Sequence, residues 1–263
     1  MWEIITLSAV IQGLTEFLPV SSSGHLRLIQ HWFGLEEPQT FVDLCLHLGT
    51  LLAVVWYYRT SILGLLRSCL GIGGETEKRR LVMLLVIGTI PTGCIGVFLG
   101  DIFEAHLATV SWVGFWLLVT GAALWWTRGK EEGTRGLDEL TVVDVLCIGV
   151  VQGFAVLRGI SRSGSTIATG LGLGLKREAA AELSFLLSIP AILGAVVLKG
   201  ADVWSGDVVL NVPLDLLAMG TLLSGVVGYF ALRLLVALVN QGGLFKFAPY
   251  CWLLGGLALF NGF

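Results

Sequence analysis

The sequence predicts an all-α polytopic membrane protein built as an inverted-topology repeat, each half a re-entrant helical hairpin followed by three transmembrane helices. Three observations carry this expectation. Of the 263 residues, 55% are hydrophobic and 13% charged, against a usual charged share of about 25% in soluble domains. Apolar runs at 41–58, 81–99, 111–127, 180–198, 214–235 and 247–262 approach or reach the span length, roughly 20 residues for a helix crossing a bilayer. The chain also aligns with itself. Gln12-Gly13 falls on Gln152-Gly153 at an offset of 140 residues, and the same ungapped offset places Ser21 on Ser161, Ser23 on Ser163 and Gly24 on Gly164. Asp43-Leu44 then meets Glu182-Leu183 at 139, Gly88-Thr89, Gly93, Gly96 and Phe98 meet Gly220-Thr221, Gly225, Gly228 and Phe230 at 132, and Gly121, Ala123 and Leu124 meet Gly256, Ala258 and Leu259 at 135. Identities in one order across four segments speak for duplication over chance likeness of glycine-rich helices.

The first repeat, residues 1–130, opens with the segment 3–29, where Pro19 and a Ser-Ser-Ser-Gly run interrupt an apolar stretch. Proline and glycine break a continuous helix. Irregular backbone at membrane depth is tolerated where it lines a cavity, so 3–29 is expected to be a re-entrant hairpin, followed by spans 41–58, 81–99 and 111–127. The second repeat, 137–263, repeats the plan with a hairpin at 141–175 and spans 180–198, 214–235 and 247–262. Three crossings is an odd number, so the second half starts from the opposite face. In such inverted repeats the broken segments meet near the midplane.

Charge sets the orientation. With the first hairpin entering from outside, the cytoplasmic segments are 59–80, 128–139, 176–178 and 233–246, which hold Arg59, Arg67, Lys78, Arg79, Arg80, Arg128, Lys130, Arg135, Lys176, Arg177, Arg233 and Lys246. Only Arg27 and Lys199 lie outside, and the expected external loop 100–110 carries Asp101 and Glu104 without Lys or Arg. The positive-inside rule favours this arrangement, with external termini and a first hairpin opening to the outer face of the plasma (inner) membrane. Glu3 stands where a signal peptide has basic residues, so cleavage is not expected. The net charge of −3 implies no nucleic-acid partner. The five cysteines, without CxxC spacing, read as packing residues.

The chemistry concentrates in the hairpins. A polar group buried without a partner costs roughly 2 to 7 kcal/mol, so Glu16, Ser21, Ser22, Ser23 and His25 must face one another, water or a ligand. Gln12 and Glu16, four residues apart, share a helix face and can address one ligand or metal ion. The duplicated scaffold does not duplicate the reactive groups: Glu16 aligns with Val156, Ser22 with Arg162 and His25 with Ser165. One hairpin supplies acid–base groups, the other a cation. The run Ser161-Arg162-Ser163-Gly164-Ser165-Thr166 has the make-up of a phosphate site, in which small residues admit backbone N–H groups and the guanidinium forks onto phosphate. The plain alternative is a helix break satisfied by its own hydroxyls, with Arg162 snorkelling to an interface. A membrane-depth arginine facing a second polar hairpin needs a counter-charge, which favours the phosphate reading. Glu16, Ser22 and His25 are then a base, a nucleophile and a proton carrier for phosphoryl transfer. His47, on an apolar span, is placed where it could reach the cavity, with packing the favoured role, and His31 and His106 fall near interfaces.

Gln12-x-x-x-Glu16, the Pro19-Val-Ser-Ser-Ser-Gly-His25 run and Gly159-Ile-Ser-Arg-Ser-Gly-Ser-Thr166 resemble the two signature motifs of the undecaprenyl-diphosphate phosphatases, the bacitracin-resistance family. The similarity covers nearly the whole chain, including Glu182-Leu-Ser-Phe-Leu-Leu-Ser-Ile-Pro190. The resemblance implies an enzyme that hydrolyses a C55 polyprenyl diphosphate to the monophosphate and inorganic phosphate, recycling the lipid carrier for cell-wall polymers. It implies that Glu16 is the essential acidic residue, as base or metal ligand, with Ser22 the nucleophile, His25 the acid–base partner and Arg162 the phosphate clamp. Gln12, Ser21, Ser23, Gly24, Arg158, Ser161, Ser163, Gly164 and Thr166 would bind substrate. A divalent cation, Mg2+ or Ca2+, would bridge the diphosphate on Glu16, with Gln12 as a second donor.

Two positions depart from the family pattern. Gln12 stands at the first acidic position, which leaves cation binding to rest mainly on Glu16. Arg158 stands where a proline often precedes Gly-x-Ser-Arg-Ser-Gly, adding a second cation for the diphosphate or marking a subgroup with another polyprenyl substrate. A polyprenyl-phosphate transporter or flippase is the rival reading, since inverted repeats with broken helices are transporter architecture. A carrier needs no nucleophile and base, so Glu16, Ser22 and His25 in one hairpin favour the enzyme, alone or combined with lipid movement. Membrane lipid is the surrounding partner, and a homodimer is compatible with the chain.

Overall fold

The computed structural model describes residues 2–35, 40–72, 76–204 and 212–260, and these are helical throughout apart from turns and one isolated bridge between Arg135 and Leu175. The first broken segment forms α1 (Trp2–Phe17) and α2 (Ser22–Trp32). Then come α3 (Thr40–Tyr57), α4 (Arg59–Cys69), α5 (Thr76–Leu107) and α6 (Val110–Trp125). The second broken segment forms α7 (Val142–Phe154) and α8 (Arg162–Gly172), followed by α9 (Arg177–Trp204), α10 (Leu214–Asn240) and α11 (Ala248–Phe260). Each expected break and span thus coincides with a helix boundary or a helix. Residues 261–262 of the last expected span, and the side chain of Lys199, lie outside the described residues.

The breaks have local causes. After α1 the chain turns through Leu18-Pro19-Val20, and Ser21 caps α2 by accepting from the Gly24 amide at 3.3 Å. Ser161 caps α8 in the same way, accepting from the Gly164 amide at 3.1 Å. A serine cap satisfies one of the amides that a helix start leaves without an intrahelical partner. Thr141 and Asp144 form a reciprocal capping box at the start of α7, and Arg135 pairs with Asp144 at 2.5 Å.

Three details differ from the sequence expectation. The helix α5 continues to Leu107, so most of the expected 100–110 loop is helical and Asp101 and Glu104 stand on its last turns. Between Leu99 and Leu107 the one poor helix former is Gly100, and a single glycine costs only about 1 kcal/mol, while acidic residues alone do not end a helix. The segment after α3 is not a loop: α4 leaves it at 81°. Exposed Leu63 and Leu66 on α4 and Leu70 just after it, together with Arg59 and Arg67, suit a helix lying in the membrane interface. Finally, α5, α9 and α10 meet the length and hydropathy of a membrane span, whereas α6 and α11 have 16 and 13 residues. Short apolar helices are accommodated by bilayer thinning and interfacial anchors, and Trp125, Trp126 and Arg128 stand at the end of α6.

Only 17% of the apolar window of α5 is buried inside the protein, so its hydrophobic surface faces outward, as in a protein solvated by lipid. This is a membrane protein. The core gathers where the two broken segments meet the long helices, around Phe17, Val20, Leu124, Ile167, Leu183 and Phe185. Glycines set the approach. A Cβ on Gly13 of α1 would stand 2.8 Å from Val227 of α10, and one on Gly153 of α7 would stand 2.6 Å from Ile95 of α5. Likewise Gly220 of α10 packs on Ile5 of α1, and Gly88 of α5 on Val145 of α7. Each broken segment therefore lies against the second long helix of the other half.

Candidate active site

The two breaks face each other across one cavity of about 440 Å³. Its polar wall holds Glu16, Ser21, Ser22 and Ser23 from the first break and Arg158, Ser161 and Arg162 from the second. Asp43 and His47 of α3, Asp101 and Glu104 of α5, and Gln152 of α7 extend it. The opposite wall is apolar, with Val97, Phe103, Ile192 and Leu198.

Glu16 is the centre of the polar wall and is 7% exposed. Its Oε1 accepts from Arg162 Nη2 at 2.6 Å. Its Oε2 accepts from Ser22 Oγ at 2.6 Å and from Gln12 Nε2 at 3.1 Å, while His47 Nε2 stands 3.4 Å away. The i, i+4 spacing that placed Gln12 and Glu16 on one face is realised, with Gln12 fully buried behind the carboxylate. Three donors, Arg162, Ser22 and Gln12, around one buried anion offset the cost of removing it from water. Arg162 is not saturated by this pair: its Nη1 is buried and has no hydrogen-bond partner. An unpaired buried guanidinium nitrogen costs free energy until an acceptor arrives, and a phosphate oxygen is such an acceptor.

The remaining expected residues are placed unevenly. Gln12, Gly24, His25, Ser163, Gly164 and Thr166 do not line the cavity. Gly24 packs on Gly159, where a Cβ would lie 3.1 Å from its Cα, and Gly164 packs on Pro19, where a Cβ would lie 3.0 Å from its Cβ. Ser163 Oγ donates to Phe17 O at 3.0 Å, and Thr166 Oγ1 pairs with Ser184 Oγ at 2.6 Å. Gly24, Gly164 and Ser163 knit the two breaks together, because small residues let the two turns approach and the freed carbonyls need donors, while Thr166 ties α8 to α9. His25 is turned away from Glu16. Its Nδ1 bonds Ser21 O at 2.8 Å and its Nε2 bonds Tyr250 Oη at 2.7 Å. Arg158, expected as a second cation for phosphate, forms ion pairs with Asp43 at 3.1 Å and Glu104 at 3.3 Å at the cavity wall.

His47 corrects the packing role expected for it, since its ring faces Glu16 and its Nδ1 bonds Asp43 O at 2.7 Å. The signal was present in the sequence: Asp43 and His47 are two polar residues four apart on an otherwise apolar span, and therefore on one helix face. Tyr250 gave no such signal, because an interfacial tyrosine is ordinary in a membrane helix.

For a hard cation such as Mg2+ or Ca2+, Glu16 is the cavity-lining oxygen donor, while Gln12 turns Nε2 towards it and keeps its unpartnered Oε1 buried off the cavity. Among the described residues no three His, Cys, Asp or Glu side chains converge as a metal cage. An ion at Glu16 would complete its shell with oxygens of a bound ligand.

The fold and this site define a class, an integral membrane protein in which a carboxylate, serines and a guanidinium meet at the ends of two broken helical segments. The family described as bacitracin resistance protein BacA matches residues 5–257. The chain is 44% identical to the undecaprenyl-diphosphatase of Desulfatibacillum aliphaticivorans, a match covering 100% of this chain and 99% of that protein. It is 46% identical to the undecaprenyl-diphosphatase of Desulfosudis oleivorans and 39% identical to that of Alkaliphilus metalliredigens, each over 96% of both chains. The protein belongs to the BacA family.

Proposed function

We propose that this enzyme hydrolyses undecaprenyl diphosphate to undecaprenyl monophosphate and inorganic phosphate, returning the lipid carrier to cell-wall polymer synthesis. The observation that carries the reading is the bond from Ser22 Oγ to Glu16 Oε2 at 2.6 Å, with Arg162 on the other carboxylate oxygen at 2.6 Å. Nucleophile, base and anion clamp are within contact of one another before substrate arrives.

The diphosphate enters between Glu16 and Arg162, and Arg162 Nη1 takes up a phosphate oxygen. Ser22 Oγ attacks the terminal phosphorus as Glu16 accepts its proton. The P–O bond to the bridging oxygen breaks, and the polyprenyl monophosphate leaves. The proton on Glu16 leaves with that monophosphate; water, deprotonated by the restored carboxylate, then attacks the phosphoserine, and Ser22 Oγ takes the proton back from Glu16 as inorganic phosphate is released. Charge on the transferring phosphoryl group is the main load in this reaction class, and Arg162 is preorganised for it. A divalent cation held by Glu16, with Gln12 behind it, would neutralise further charge on the diphosphate. The cavity is far too small for a C55 chain, so its apolar wall receives the first prenyl units and the rest of the tail stays in the bilayer.

We also propose that the two broken segments are re-entrant hairpins of an inverted repeat, with the cavity open to the outer face of the plasma membrane. The equivalent contacts support this. Gly13 with Val227 is matched by Gly153 with Ile95, and Gly24 with Gly159 by Gly164 with Pro19, at the offsets of the sequence duplication. The cavity is lined by the stretches of α3, α5 and α9 that end on the lysine- and arginine-poor side.

The test is phosphate release by purified protein from undecaprenyl diphosphate with added divalent cation. Glu16→Gln and Arg162→Ala each lower kcat by roughly a hundredfold or more, the usual range for losing a positioned base or a charge-stabilising group. Near-full rates in both variants, or no release by the wild type, would overturn the assignment.

A further inference from the structure

We infer that Tyr250 is a positioning residue for this reaction: through the His25 ring it holds Ser21 in the strained conformation that presents Ser22 to Glu16. The inference rests on the hydrolase reading for its rate measurements only. Among the described residues, Ser21 is the one non-glycine residue with positive φ, at φ 69° and ψ 95°. A β-substituted residue held there costs on the order of 1 to 3 kcal/mol and persists only where its surroundings over-determine it.

Those surroundings are visible. Ser21 O accepts from His25 Nδ1 at 2.8 Å and from the His25 amide at 3.2 Å. Ser21 Oγ accepts from the Gly24 amide at 3.3 Å and from the Gly159 amide of the other break at 3.1 Å. A carbonyl oxygen only accepts, so Nδ1 carries the ring proton, Nε2 presents its lone pair, and Tyr250 Oη donates to it at 2.7 Å. The Tyr250 ring also lies nearly parallel to the imidazole, at 7° with centroids 5.7 Å apart. Both ring nitrogens of His25 are thereby committed, and neither faces Glu16 or Ser22.

The duplication supplies an internal control. Ser161, the counterpart of Ser21, has φ −77° and ψ 113°, an ordinary extended conformation, and it caps α8 just as well. At the offset of 140 His25 corresponds to Ser165, and at the offset of 135 Tyr250 corresponds to Phe115, which has no hydroxyl. The half that carries the candidate nucleophile has the strain, the imidazole and the phenol together, and the other half has none of the three. The next residue completes the link, since it is Ser22 in the strained turn and Arg162 in the relaxed one.

The experiment compares His25→Ala, His25→Asn and Tyr250→Phe with the wild type in phosphate release from undecaprenyl diphosphate and in amide hydrogen exchange of residues 19–25. A displaced nucleophile costs roughly a hundredfold in rate, so His25→Ala lowers kcat by about that factor with KM little changed. Tyr250→Phe lowers kcat by roughly tenfold, the scale of one hydrogen bond. His25→Asn, whose Nδ2–H reaches the same carbonyl, regains most of what alanine loses, which a proton-transferring histidine would not allow. Exchange over 19–25 speeds up most in His25→Ala and to a smaller, similar extent in Tyr250→Phe and His25→Asn, since asparagine keeps the bond to Ser21 O but lacks the ring nitrogen that Tyr250 engages. Asparagine as slow in turnover as alanine, or Tyr250→Phe indistinguishable from wild type in both rate and exchange, would overturn the inference. Should the wild type itself release no phosphate, the hydrolase reading fails while the exchange comparison still decides whether the brace exists.

Discussion

The carboxylate of Glu16 and the guanidinium of Arg162 meet at 2.6 Å across 146 residues of chain. Each sits beside a serine-capped helix start, and each comes from a break that proline, glycine and serine impose on an apolar segment. The pair joins two half-sites that the sequence shows separately. Unlike charges meet here, where two carboxylates or two arginines would repel.

The carboxamide at position 12 limits the negative charge at the centre. Gln12→Glu places a second carboxylate against Glu16, and the charge count of an oxygen site sets its cation affinity. The concentration of Mg2+ or Ca2+ needed for half-maximal phosphate release is expected to fall by roughly tenfold. Titration of activity against free cation after chelator treatment measures this, and an unchanged requirement would remove Gln12 from the cation site.

Arg158 bridges Asp43 and Glu104, and Asp43, 6% exposed, also accepts from Gln30 Nε2 at 2.7 Å. Removing one partner of a buried pair strands the other charge, so Arg158→Ala is expected to destabilise the protein by roughly 3 to 5 kcal/mol. Adding Asp43→Asn in the same background recovers part of the loss. Thermal unfolding in detergent of both variants checks this, and equal melting temperatures would show that the two side chains are not coupled.

Helix contacts are set by glycine at specific places only. A Cβ on Gly49 of α3 would collide with the Thr221 carbonyl of α10, whereas one on Gly256 of α11 meets nothing within 4 Å. Gly49→Ala is expected to destabilise by roughly 1 to 3 kcal/mol through forced helix separation. Gly256→Ala should stabilise slightly, by about 0.5 to 1 kcal/mol, because glycine inside a helix loses more chain entropy than alanine. The two melting curves moving in the same direction would contradict the packing described.

Orientation has its own test. Ala105 is exposed on the last turn of α5, so Ala105→Cys in a cysteine-free background should react with a membrane-impermeant thiol reagent added outside intact cells. Labelling only after the cytoplasmic face is opened would reverse the proposed topology.

Much of this architecture is a local property and was legible in the residues themselves. Hydropathy located the spans because burial in lipid demands long apolar runs, and Pro19 and the serine–glycine turns located the breaks because no helix passes through them. The motifs marked Glu16, Ser22 and Arg162, whose polarity has no other justification at that depth. What the residues did not disclose is direction. Whether His25 points at Glu16 or at Tyr250, whether His47 packs or enters the cavity, and whether Arg158 meets a ligand or the Asp43 and Glu104 carboxylates depend on how helices rotate against partners far away in sequence. That α5 runs on to Leu107, through Gly100 and past its acidic residues, was likewise not disclosed by the residues themselves. The sequence by itself determined the membrane class and the two breaks. Only the tertiary structure decided which side chains reach the cavity, because helix rotation is set by close glycine contacts such as Gly13 on Val227 and Gly24 on Gly159.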